Sequence, residues 1–415
     1  MAPLMATIKT PGLVLLLLLA ALMPAQAAQF SVKRGLNLDA WTTWFGEDKW
    51  GDPSVILPFP EWRRTLGEAE LRRLRQAGFD FIRMPVDPAP FLSDRTLALR
   101  DRLYASVRDS ARLINGAGLK VVVDLHLTPS GGGTIGMGEV MADPVLFDRY
   151  VEFVREMAKT LAGEDPAMIA LEPMNEPVVD CADDGTDFWP QRLKRLFAAA
   201  RASATRLTLV LSGACYAGAE ALAKVDPGEI VDDNVLWTFH SYQPFLLTHQ
   251  GATWAGDFIR YVTGLPYPLT AVPRAELDAA LEAIRRKIAA EAPFARRAGL
   301  LAYLDEQVAG LDTPEKLQAD MEAPFLAAAD WAQRYGIEPR NVLLGEFGMI
   351  RQEYGNPYVV PAKHRAAYVR DMIGLAEKHG FSWSIWGYGG AFGIVEAFDG
   401  NKAEPDVMEA VRALP

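Results

Sequence analysis

Two glutamates stand where apolar runs give out: Glu176 in IALEPMNEP (169–177) and Glu346 in LLGEFG (343–348). A carboxyl kept protonated by its surroundings donates to a leaving oxygen, while a second, ionised carboxyl attacks carbon or assists water. Such a pair, facing across one mouth, suits glycoside hydrolysis. Pro177 lacks the backbone donor that a strand needs, so the fourth apolar run is expected to end at Glu176, where strand gives way to loop.

Other polar residues lie within comparable runs or at their ends: Arg83 within FIRMPV, Asp124 and His126 ending VVVDLH, Asn175 beside Glu176, His240 and Tyr242 ending FHSY, and Trp386 in SIWGYG. Ions and polar groups at the ends of apolar strands are costly to desolvate unless partnered, so a cluster of them on one face marks a functional site. Glu172, four residues before Glu176, is expected deeper in its strand and structural. Trp41, Trp44 and Trp50 after the first run, with Trp254 and Trp386, offer flat faces for sugar rings, although loop tryptophans also serve as plain packing. No GxSxG elbow and no HExxH pattern is present. Asp180, Asp183, Asp184 and Asp187 lack EF-hand spacing, and Ser130 to Gly133 lacks a following lysine, so neither a metal nor a phosphate cofactor is called for.

The elements that must position these residues are eight short runs rich in Val, Ile, Leu and Phe. They are 32–38, 79–86, 120–126, 168–176, 207–213, 235–242, 342–348 and 381–388. Helical periodicity fills the gaps at 68–77, 97–117, 144–162, 189–204, 361–379 and 404–413. Gly78, Gly118 and Gly380 each stand between a helix and the next strand, as a left-handed helix end requires. Eight alternations predict an α/β fold, a (β/α)8 TIM barrel, with a doubly wound sheet as the alternative. No GxGxxG or Walker loop follows an early strand, as a nucleotide fold would want. The interval 243–340 is too long for one loop and helix. It reads as a helical insertion on the catalytic rim, with helices near 274–292, 301–310 and 314–335, the last being the sixth barrel helix. Residues 28–415 are expected to form a single domain.

The 415 residues are 50% hydrophobic and 23% charged, with a net charge of −11. That balance fits a globular protein with a large core and disfavours nucleic acid or anionic membranes as partners. Lys9, the apolar run 13–23 and Ala25-Gln26-Ala27 read as a signal peptide over 1–27, cleaved near Ala27. The run is shorter than the ~20 residues a bilayer needs, so the mature chain is expected to be secreted or periplasmic and monomeric, without stable membrane association. An uncleaved anchor is the alternative. Cys181 and Cys215 fall on neighbouring loops of one barrel face, where a disulfide and two free thiols are both open.

Taken together, Arg83, His126, Asn175-Glu176-Pro177, His240 with Tyr242, Glu346 and Trp386 resemble glycoside hydrolase family 5, the cellulase family of the larger retaining (β/α)8 clan. The resemblance runs from Gly35 to Trp386. It implies that Glu176 is the acid/base, Glu346 the nucleophile, and Asn175 the ligand of the sugar 2-hydroxyl. It implies further that Arg83 and Tyr242 hold the nucleophile, that His126 and His240 bind sugar or orient the glutamates, and that Trp386 floors the cleavage subsite. The implied substrate is a polysaccharide or oligosaccharide, with β-1,4-glucan the first choice. Mannan, β-1,3-glucan and an exopolysaccharide are alternatives within the family, and a carbohydrate-binding protein on a retired barrel is the alternative outside enzymes. The insertion after Tyr242 departs from the common family form.

Overall fold

The computed structural model describes residues 30–39, 41, 46–56, 66–127, 135–182, 188–398, 400–403 and 405–413. The signal-peptide reading, Trp44, the glycine run at 131–133 and three of the four loop aspartates lie outside them.

Eight parallel strands close into a barrel in chain order: β1 (Arg34–Asn37), β2 (Phe81–Val86), β3 (Lys120–Leu125), β4 (Ile169–Glu172), β5 (Thr208–Ser212), β6 (Val235–His240), β7 (Val342–Phe347) and β8 (Ser382–Ile385). The β1–β8 pairing completes the ring. Most strands are buried throughout because helices cover the outside and side chains fill the inside. Alternation sorts the inside by height. Phe81, Val122, Ala170, Val210, Leu236 and Leu343 form an apolar layer low in the barrel, plugged from below by Phe30 and Val32. Two residues further along β2, β3 and β4 the inward positions become Arg83, Asp124 and Glu172. The polar site therefore sits on an apolar floor, at the C-terminal ends of the strands.

The expected helices appear within a few residues, for example Arg100–Gly116, Pro144–Leu161 and Ala362–Lys378. Gly78, Gly118 and Gly380 have φ of 105°, 82° and 74°, a backbone region that favours glycine. In the interval after β6, helices Arg274–Glu291 and Arg297–Ala309 precede Pro314–Tyr335. This last helix packs on the barrel wall: Trp331 meets Trp237 of β6 edge-on, and Phe325 meets Phe239. Leu281, Ile284 and Leu304 of the preceding helices belong to the same continuous apolar cluster as the strands.

Three strands, β4, β6 and β8, stop two or more residues earlier than expected. β4 ends at Glu172 because Pro173, not Pro177, first withholds a ladder donor. Glu176 thus stands four residues beyond the strand, with a left-handed φ of 37°. Tyr242 and Trp386 likewise lie just past β6 and β8. Cys181 and Cys215 are joined as a disulfide with a Cα separation of 4.8 Å, linking the loops after β4 and β5.

Candidate active site

Arg83, fully buried on β2, is the hub. Nε and Nη2 donate to the two carboxylate oxygens of Glu172 at 2.8 and 2.9 Å, a bidentate fork. Nη1 donates to Asn37 Oδ1 at 3.0 Å and Glu346 Oε1 at 2.6 Å, and Nη2 also donates to Asn175 Oδ1 at 2.7 Å. A guanidinium has five N–H donors, and these five bonds use all of them. Asp124 Oδ2 adds an ionic contact at 3.0 Å.

That anchoring fixes the polarity of the next shell. Because arginine only donates, the Asn175 atom facing it is the oxygen, and Nδ2 faces His126 Nε2 at 3.2 Å. His126 Nε2 must then accept, so its proton is on Nδ1 and is donated to Asp124 Oδ2 at 2.8 Å. Burial lowers the His126 pKa, in keeping with a neutral ring. The ring stacks on Trp386 with centroids 5.3 Å apart and planes 18° apart, so residues after β3 and β8 pack ring against ring. Asn175 keeps one amide hydrogen uncommitted by these bonds.

Glu346 points inward because of an irregularity. Leu343 faces the barrel lumen and Leu344 the helices, so period two predicts Gly345 inward and Glu346 outward. The β6–β7 and β7–β8 registers both shift here, a bulge that turns Glu346 to Arg83. Gly345 permits this, since a Cβ there would stand 2.4 Å from Thr238 Oγ1 and 2.9 Å from His240 Nε2. Tyr242 donates its hydroxyl to Glu346 Oε2 at 2.9 Å. Burial and the Glu346 charge hold the Tyr242 pKa well above its usual value, so it remains a donor across the working pH range.

Glu176 is the more open carboxyl, its side chain 26% exposed. Oε1 lies 2.8 Å from His240 Nδ1. His240 Nε2 is buried without a hydrogen-bond partner among the described residues. An orphaned buried N–H costs more than an orphaned lone pair, so the His240 proton belongs on Nδ1 and is donated to Glu176. Oε2 of Glu176 is then left to carry a proton toward the cleft. Burial pushes Glu176 up to about 7, and pushes His240 down to about 4. Burial also raises Asp124 to about 7, against the pull of Arg83.

One carboxylate oxygen each of Glu176 and Glu346 lies within 4.8 Å of the other, with His240 Nδ1 in the same group. Three such donors would be candidates for a metal. Here His240 is bonded to Glu176, and both Glu346 oxygens are bonded to Arg83 and Tyr242, so a cation would face a guanidinium instead of free lone pairs. The set is organised for proton transfer and nucleophilic attack.

Eight of the residues singled out from sequence meet here: Arg83, His126, Asn175, Glu176, His240, Tyr242, Glu346 and Trp386. Trp41 is 5% exposed and packs in the main apolar cluster, as does Trp50. Glu172 proves as deep as expected. Sequence reasoning misses Asn37, though it ends β1. Its Nδ2 donates to Gly345 O, Ser384 Oγ and Ile385 O, tying β1 to the bulge and to β8. It also misses His249, at the start of the insertion, which no strand end signals. This ring is caged by Phe245, Trp254 and Phe392 behind Tyr242, and burial lowers it to about 3.

A closed (β/α)8 barrel with two facing carboxyls at its C-terminal mouth is the architecture used for glycoside chemistry. The chain belongs to the cellulase family, glycosyl hydrolase family 5, whose model matches residues 57–391. Endoglucanase 3 of Fibrobacter succinogenes is 21% identical over 341 residues, 80% of this chain and 47% of that protein. Endoglucanase C of Acetivibrio thermocellus is 24% identical over 240 residues, covering 57% and 65%. The chain thus spans less than two thirds of the length of these relatives. Cellulose synthase subunit Z from Clostridioides difficile shares the fold, with a TM-score of 0.63 at 19% identity over 92% of this chain and 99% of that one.

Proposed function

We propose that the chain is an exported, retaining endo-β-1,4-glucanase in which Glu176 is the acid/base and Glu346 the nucleophile. The observation that carries this reading is the approach of the two carboxyls to within 4.8 Å. Retaining enzymes place them about 5–5.5 Å apart, whereas inverting enzymes leave about 6.5–9.5 Å for a water. The names of the relatives favour β-glucan. No described helix is long and apolar enough to cross a membrane.

In the first step Glu176 Oε2–H protonates the glycosidic oxygen as Glu346 attacks C1. The C1–O bond breaks, the leaving sugar departs as an alcohol, and a glycosyl ester forms on Glu346. In the second step Glu176, now ionised, takes a proton from water, whose oxygen displaces Glu346. Arg83 and Tyr242 hold the Glu346 oxygens in place in both steps. Asn175 offers its remaining amide hydrogen to the 2-hydroxyl, and Trp386 with His126 forms the floor.

The general acid must hold its proton, and that proton is lost as pH rises through about 7. We therefore expect kcat/KM to fall tenfold per pH unit above about 7 on a substrate with a poor leaving group. Glu176→Gln, assayed on an aryl glycoside that needs no proton, is expected to lose this limb. Retention of the limb would show that another group is the acid.

The deciding experiment is a panel of soluble β-1,4-glucan, β-1,3-glucan and mannan with reducing-sugar and product analysis. We expect short products with a retained anomer from the β-1,4-glucan. Binding without release of sugar from any of the three would instead favour a carbohydrate-binding protein.

A further inference from the structure

Beyond Trp386, the loops after β7 and β8 form a second aromatic surface that the acid–base network does not use. Tyr354 is 64% exposed and Phe398 39%, yet the two rings pack on each other with centroids 4.2 Å apart and planes 37° apart. Both are held from behind. Tyr354 N donates to Oε1 of the buried Glu353 at 2.9 Å, and Oε2 of the same carboxylate accepts from Thr253 N at 3.1 Å. Next to Phe398, Ala397 N donates to Asn401 O at 2.8 Å, beside the Glu396–Lys402 bridge. Two adjoining aromatic rings exposed to water offer a surface suited to a ligand with apolar faces.

The pair is continuous with the catalytic floor. A Cβ on Gly387, the neighbour of Trp386, would stand 2.8 Å from Asp39 Oδ1. A Cβ on Gly390 would stand 2.7 Å from Asp39 Oδ2 and 3.5 Å from Tyr354 Oη. Asp39 itself is 8% exposed and accepts Gly389 N at 2.8 Å. Indole, carboxylate, phenol and phenyl therefore succeed one another along a path kept low by two residues without side chains. Aromatic faces match the C–H faces of a pyranose, and a carboxylate and a phenol match its equatorial hydroxyls. A carboxylate on this path disfavours acidic sugars, so the ligand is a neutral glycan.

We propose that Tyr354, Phe398 and Asp39 form a subsite for a neutral pyranose unit on the retained, non-reducing side of the bond that is cleaved. The side rests on the function proposed above. Glu176, after β4, protonates the leaving oxygen, and this platform comes from β1, β7 and β8, on the opposite side of Trp386.

The test uses a β-1,4-linked glucose hexasaccharide labelled at its reducing end and the Tyr354→Ala/Phe398→Ala protein. Loss of a retained-side subsite shifts cleavage toward the non-reducing end, lengthens the labelled product and lowers kcat/KM about tenfold. Tyr354→Phe, which keeps the face and loses only the hydroxyl, is expected to shift the pattern in the same direction but by less than the double substitution. A second readout needs no turnover: affinity of the Glu346→Ala protein for the same hexasaccharide, by calorimetry, should fall about tenfold when the double substitution is added. Unchanged register and affinity, or a shift toward the reducing end, overturns the proposal. Absence of cleavage by the wild-type chain counts against the proposed function alone, because the calorimetric arm still decides the platform.

Discussion

Alanine at position 346 is expected to lower turnover of a soluble β-glucan at least about 10⁴-fold, equivalent to about 5.5 kcal/mol of transition-state stabilisation. Without that carboxylate no glycosyl ester forms, while Arg83 and Tyr242 are left with donors aimed at empty space. Azide fits where the carboxylate stood and attacks C1 from the same face. On an aryl glycoside, azide should therefore restore activity and yield a glycosyl azide of inverted configuration. The Glu176→Ala protein should respond in the opposite stereochemical sense, since azide would enter in its second step, from the face that Glu176 serves. Product configuration by NMR reads both results. Full activity in either variant, or rescue of the Glu346 variant with retention, would refute the assignment.

Arg83→Met is expected to damage both fold and activity. The guanidinium is the only cation among the described residues in direct contact with Asp124, Glu172 and Glu346, all buried. Removing one partner of a buried ion pair costs about 3–5 kcal/mol, because the charges left behind are uncompensated. Denaturant unfolding should report a loss of that size. Arg83→Lys restores charge with three donors in place of five, so it should recover stability in part. It should still lose activity on the order of 10²–10³-fold, since Asn175 and Glu346 can no longer be held at once. A methionine variant as stable and active as the wild type would mean that the carboxyls are organised by something other than Arg83.

Much of this site is legible in the amino-acid order. Apolar runs of strand length, with a glycine closing several of the intervening helices, point to a parallel α/β sheet buried on both faces, and eight of them favour a barrel over a doubly wound sheet. Polar residues at the ends of such runs are too costly to be accidental, which is why Arg83, His126, Asn175, Glu176, His240 and Glu346 stand out. The same criterion applies to Asn37, but a single amide is a weaker signal than a charge.

The tertiary structure decided what periodicity cannot express. A period of two reports which face a residue takes within a regular strand, and it would have turned Glu346 outward. The bulge at Gly345 reverses this, where the registers of β7 with β6 and with β8 both shift. Trp41 reads from its position as an exposed rim residue, yet it is buried. Pro173 ends β4 before Pro177 is reached, so Glu176 reaches the cleft from a left-handed turn and not from a strand. The amino-acid order by itself determined which groups would be present at the mouth. Which oxygen meets which proton depended on contacts between residues far apart in the chain, such as Arg83 with Glu346, and only barrel closure creates those contacts.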